Sequence, residues 1–414
     1  MKRAALSEFT KAMKDSHTIL LPNMLHYHNS LLQAAFASCG YHLEILPEEN
    51  NLPAYSLPYI SGDYCLPAVL ILGQMLAAIQ SGRFQPDRIA FMEPQAGGAC
   101  RAGNYYNTII QSLKKAGYGQ IPVISLNAFG KEKHAGFTIT PKLLFRTIAA
   151  VCFGDLLMTL YQQVRPYECR MGDTQACWER WNGKLCEDIR AGKNISLKKR
   201  REQYRQIVHD FAGIPVEEKK MRRVGIAGEI YIKFSPIGNE HLERFLQKQD
   251  CAYRMGGFVN YAIYLVDSER EEQKLCGGGR MMQKGYDAVI RYLLRIQHDV
   301  NRSISEGNRF VPDGDFERMR ELAEPVINKG CRTGDGWLVA AEVADLAEKG
   351  YENILIVHPF GCLVSHVCER GIMKKLHELY PNVNIHTVEY DYDSTRALRE
   401  SRILLGIGGK NAFF

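Results

Sequence analysis

Short apolar runs alternate along the chain with amphipathic stretches, and their order predicts strands alternating with helices. TILLPN (18–23) predicts a buried strand, HNSLLQAAFASCG (28–40) a helix closed by Gly40, and YHLEILP (41–47) the next strand. In SGDYCLPAVLILGQMLAAIQSG (61–82), Val69, Leu72, Leu76 and Ile79 fall on one helical face, with Pro67 near the start. The strands RIAFMEP (88–94) and IPVISLN (121–127) follow.

The same pattern returns later. RVGIAGEI (223–230) reads as a strand, NEHLERFLQKQ (239–249) as a helix and CAYRMGG (251–257) as the start of a return strand. TGDGWLVAAEVADLAEKG (333–350) repeats the Gly-Asp helix start, and NILIVHP (353–359) and VNIHTVEYD (383–391) repeat the last two strands. Such βαβ units imply parallel pairing. The expected fold class is α/β, with two similar Rossmann-like halves of mainly parallel sheet and a helical middle segment. The expected domains are 1–135, a helical insertion or linker at 136–221, and 222–414.

Composition narrows the function classes. The chain has 414 residues, 46% hydrophobic and 24% charged, with a formal charge of +6, mild for this length. A nucleic-acid binder would more often concentrate basic charge on one face. The densest basic run, LKKRREQYRQ (197–206), reads first as a solvated helix face, with docking of an acidic partner or of phosphates as the alternative. The N-terminal segment lacks a signal-peptide core, and no run reads as a membrane helix, so the expected location is the cytoplasm. The twelve Cys are then expected to be mostly reduced. None form a CxxC pair, so a metal site must be assembled from distant parts of the chain.

In open parallel sheets ligands gather beyond the carboxyl ends of the strands. Three cysteines fall on such junctions: Cys65 beside the helix start, and Cys100 and Cys362 in the turns QAGGAC and FGC that follow strand-ending prolines. A helix N-terminus lowers a thiol's pKa, which suits a metal ligand. Gly97, Gly98 and Gly361 would let backbone approach a bulky inorganic group and donate N–H bonds to its sulfurs. Three thiolates match a 4Fe–4S cluster with one iron left open. The plainer reading of any one buried Cys is packing. Cys331 is a reserve ligand. Cys368, six residues past Cys362, is expected to point elsewhere.

GDYCLPAVLILGQML, GGACRAGNYYNTI, GEIYIKFSPIGNEHLERFL and HPFGCLVSHVCERGIMKKLHELYPNVNIHTVEYDYD resemble the 2-hydroxyacyl-CoA dehydratase-like family, in the branch associated with acyl-CoA dehydratase activases. The resemblance covers about 17–405 and is vague between about 140 and 221. It implies tandem Rossmann-like halves and a 4Fe–4S cluster on three cysteines, which fall on Cys65, Cys100 and Cys362. It also implies that a separate ATP-dependent activase donates low-potential electrons, used on a small or CoA-linked substrate by radical dehydration or reduction. His358 stands where the branch often carries Gln, and the chain shows neither GxxxxGK[ST] nor an actin-like phosphate loop of its own.

Glu93 and His358 stand just before the strand-ending prolines and are expected as acid–base groups or a fourth ligand. Glu229, His26 and His28 are expected to face the same crevice, and Asp63 and Asp335 to cap helices. Trp337 is expected as an aromatic wall. The alternative function is a non-catalytic 4Fe–4S electron-transfer or scaffold protein with a fully ligated cluster. A third is an α/β binding protein whose thiols only pack. The expected assembly is a homo- or heterodimer, without nucleic acid or membrane.

Overall fold

Eight strands build two all-parallel sheets with one topology. The computed structural model describes residues 7–94, 100–126, 134–194, 196–277 and 279–408. In the first sheet β1 (Thr18–Leu21), β2 (His42–Ile45), β3 (Ile89–Pro94) and β4 (Val123–Leu126) are ordered β2-β1-β3-β4. In the second, β5 (Arg222–Gly228), β6 (Cys251–Met255), β7 (Asn353–Pro359) and β8 (Asn384–Tyr390) are ordered β6-β5-β7-β8. Every pairing is parallel. The expected two-half α/β architecture is therefore present, and each predicted strand is found within a residue or two.

In the second sheet the central strand β7 is buried along its whole length and β5 from Val224 onward, as parallel sheets covered on both faces require. In each sheet the order reverses beside the first strand: the chain leaves β1 for β2 on one side, and β3 for β4 on the other. β5 and β7 repeat this arrangement. Loops leaving such neighbours diverge and open a crevice at their carboxyl ends. The helix Leu66–Gln80 starts there and is buried nearly all round, so its apolar residues extend beyond the single face read from the periodicity.

The segment between the halves forms helices Pro141–Val164, Asp173–Ala191 and Leu197–Ala212. The Thr140 hydroxyl caps the first, accepting from Leu143 N at 3.2 Å, and Gly192 closes the second in a left-handed conformation. The helices Phe258–Leu275, Arg280–Ser305 and Phe316–Ala323, between β6 and β7, were not anticipated. Arg280–Ser305 packs against Leu197–Ala212, so helices from both stretches join.

Against the expectation of no membrane-length run, Pro141–Tyr167 is long and apolar enough to cross a bilayer by length and composition. Of its apolar window, 67% is buried inside the protein. At its centre Asp155 accepts from the backbone amides of Phe258 (2.8 Å) and Val259 (2.7 Å). The apolar surface is thus used in packing, and the intervening residues belong to a shared core.

Candidate functional site: a cavity lined by three cysteines

Both crevices open on one cavity of about 270 Å³. Pro22 and Met24 after β1, Cys100 after β3, Glu229 after β5 and Cys362 after β7 all line it. Cys65 completes the set from the start of Leu66–Gln80. Cys65 and Cys362 are buried, and Cys100 is half-buried.

Each thiol sits at the mouth of a helical turn. Cys65 takes the N-cap position of Leu66–Gln80, and its sulfur lies 2.5 Å from the Tyr105 hydroxyl. Cys100 takes the N-cap position of Arg101–Asn104 and accepts from Ala102 N at 3.5 Å. Cys362 accepts from the amide and hydroxyl of Ser365, at 3.4 and 3.1 Å.

Contacts between the halves fix two of these turns against each other. Leu66 N donates to the carbonyl of Phe360 at 3.2 Å. Gly361 has φ +72°, and a Cβ there would lie 3.3 Å from Asp63 O, Tyr64 O and Cys65 Cα. Its lack of a side chain therefore lets the Cys362 turn rest on the Cys65 turn. Tyr392 donates to Gly62 O at 3.1 Å, and Arg101 donates to Asp63 O.

Acids dominate the titratable groups of the cavity. Glu229 and Asp335 both line it, and burial pushes both carboxyls up, Asp335 further through the charge of Glu229. Burial likewise raises all three thiols, with Cys100 pushed up to about 12. Glu229 adds to each of these shifts, and Asp335 and Cys65 add to that of Cys100. The lowering expected from helix N-termini is outweighed by desolvation.

Several expectations need correction. Asp335 makes no cap bond to its helix; it lines the cavity wall beside Glu229 and Ile230. Asp63 accepts from Ser61 Oγ at 2.5 Å, while Cys65 occupies the cap position. Trp337 packs against Tyr264 and Phe316 in the core. His28 is buried with its Nε2 2.8 Å from Asp155, and His26 lines a different cavity of about 800 Å³ with Tyr27 and Phe234.

Glu93 and His358 both lie outside the cavity wall. Glu93 is fully buried, with both carboxyl oxygens unpartnered among the described residues, and burial raises its pKa well above the usual range. His358 is buried beside Arg370, His366 and Glu389. Burial, then the Arg370 charge, lowers its pKa to about 4. Gly97 and Gly98 lie outside the described residues, whereas Gly361 lines the cavity.

Cys368 does not line the cavity, yet it stays close to Cys362. The chain runs through a π-helical turn, Ser365–Glu369, in place of regular α-helix. Cys368 is buried in one small apolar cluster with Cys362 and Val364, against which Cys100 packs. The sequence reading assumed α-helical spacing here and did not anticipate this packing. It also missed Tyr105 and Ser365, whose role depends on tertiary proximity and leaves no spacing signal.

Among the described residues, no three His, Cys, Asp or Glu side chains are grouped to hold a single metal ion. A cluster binds its thiolates through different irons and needs them farther apart than one ion would. Comparison with models of known families finds no match, and no curated protein matches the chain significantly.

Proposed function

We propose that this chain is an iron–sulfur redox enzyme of the dehydratase-like type. Cys65, Cys100 and Cys362 would hold a 4Fe–4S cluster with one iron free of protein thiolate. A separate ATP-dependent activase would supply electrons, and the substrate would be small or CoA-linked, undergoing radical dehydration or reduction. The observation that carries this reading is that three cysteines from distant parts of the chain line one cavity at both switch points.

The donor set fits such a group. Three thiols and two carboxyls share a cavity whose other walls are largely apolar, including Ile71, Phe258 and Leu265. Burial and mutual repulsion push these acids toward their protonated forms, a shift that a cationic centre opposes. The cluster supplies one-electron transfer and an iron site open to a substrate oxygen. Ala102 and Ser365 donate to two of the sulfurs, and such bonds tune potential. Glu229 and Asp335 would hold protons beside the substrate.

A second reading, a non-catalytic electron carrier or scaffold with a closed cluster, is favoured by the position of Cys368 in the Cys362 group.

Anaerobic purification followed by metal, sulfide and EPR measurement tests both. A brown protein with about four irons and four sulfides per chain is expected. Loss of the cluster in Cys65→Ala, Cys100→Ala and Cys362→Ala, but not in Cys39→Ala, is expected as well. A colourless, iron-free protein after anaerobic reconstitution would overturn both readings. Perturbation of the EPR signal by small added ligands supports the open iron.

A further inference from the structure

The basic run at 197–206 meets a second set of cations across a helix interface. Arg201 and Arg205 lie four residues apart on Leu197–Ala212, and Arg295, His298 and Arg302 lie on Arg280–Ser305. These five side chains line a cavity of about 280 Å³ together with Asp299 and Ser303.

The charges there are not balanced. Asp299 pairs with Arg201 at 2.7 Å, and Glu306 is shared by Arg205 at 2.7 Å and Arg302 at 3.0 Å. Among the described residues, neither Arg295 nor His298 has a carboxylate within ion-pairing distance. Four guanidiniums therefore meet two carboxylates. Next to Arg201 in the chain, Arg200 is buried, donating Nη2 to the Tyr292 hydroxyl, with Nε and Nη1 lacking a hydrogen-bond partner among the described residues. Helix packing alone accounts for the paired arginines. It does not account for an unpaired arginine and a histidine at the same cavity.

We propose that this cavity binds a small phosphate dianion, free or as a monoester. Guanidinium forks match phosphate oxygens in shape and charge, and a dianion neutralises the excess. The site is separate from the cysteine cavity, and the inference does not depend on the redox reading.

The test is calorimetric titration of the full chain with inorganic phosphate and with AMP, at ionic strength held constant with NaCl. Saturable binding is expected, weakened about tenfold in Arg295→Ala by loss of a charge-assisted contact. Arg295→Lys should retain part of the affinity, and Lys198→Ala, an exposed change on the neighbouring helix, should leave it unchanged. Equal affinity for phosphate and AMP supports recognition of the phosphoryl group alone; tighter AMP binding supports a monoester. Arg295 is exposed and unpaired, so Arg295→Ala should keep its melting temperature; Arg302→Gln provides a second variant if it does not. Absence of saturation, or equal binding by the wild type and both cavity variants, would overturn the proposal.

Discussion

The amide of Leu66 donates to the carbonyl of Phe360, 3.2 Å away, tying the helix that starts after Cys65 to the turn that carries Cys362. Those residues come from opposite halves of the chain. The relative position of two candidate ligands thus rests in part on this backbone contact and on the glycine beside it.

Gly361→Ala tests that dependence. The new Cβ meets the Cys65 backbone at 3.3 Å, on a residue whose φ is +72°. Adopting the left-handed region costs a non-glycine residue about 1–2 kcal/mol, and the tight contact adds to it. Urea unfolding should show a loss of at least this size. Cys65 and Cys362 should also react faster with a thiol reagent. Unchanged labelling would show that the two turns do not depend on this contact.

Asp155→Ala should loosen the joint between the halves. One carboxylate accepts from Phe258 N and Val259 N and meets His28 Nε2 at 2.8 Å. It therefore links the first half, the middle segment and the second half. Removing it strands buried donors, each costing about 1–3 kcal/mol. A loss of several kcal/mol is expected in chemical denaturation, with early protection loss at Phe258 and Val259 in hydrogen exchange.

The repeat was legible because a buried parallel strand has few sequence alternatives: TILLPN and RVGIAGEI show continuous apolar runs between turn signals. The junction rule then placed Cys65, Cys100 and Cys362 at strand ends, and these do line one cavity. What sequence could not give is side-chain direction across the fold. Asp335 looked like a cap, yet it makes no cap bond and lines the cavity instead. His358 followed the strand-end logic, yet sits among Arg370, His366 and Glu389. The helices Phe258–Leu275, Arg280–Ser305 and Phe316–Ala323 are an insertion with no counterpart in the first half, so the repeat does not reveal them.

Cys368→Ala separates the open and closed forms of the proposed cluster. If three thiols suffice, iron and sulfide content should match the wild type and small ligands should still shift the EPR signal. If Cys368 closes the fourth iron, the variant should gain ligand sensitivity that the wild type lacks. A wild type that is already sensitive, together with an unchanged variant, rules out the closed form.

Stability at acid pH should depend on the buried pair Arg254–Asp313, 2.8 Å apart. Burial alone would raise the Asp313 carboxyl, but Arg254, Lys349 and the Gly257 amide outweigh it and hold it below its ordinary value of 3.8. A carboxyl lowered on folding adds stability that is fully present above its unfolded value. That stability is lost as pH falls through the lower folded value. The wild type should therefore lose stability below about pH 4. The nearby Asp345 and Glu342 are raised by burial, so their contribution has the opposite slope and is lost as pH rises. Asp313→Asn isolates the pair: it leaves the buried guanidinium without its counter-charge, costing about 3–5 kcal/mol near neutrality. Urea unfolding from pH 3 to 7 should show the gap between the two proteins narrowing as the pH falls. A constant gap would show that the charge of Asp313 does not set the acid limit.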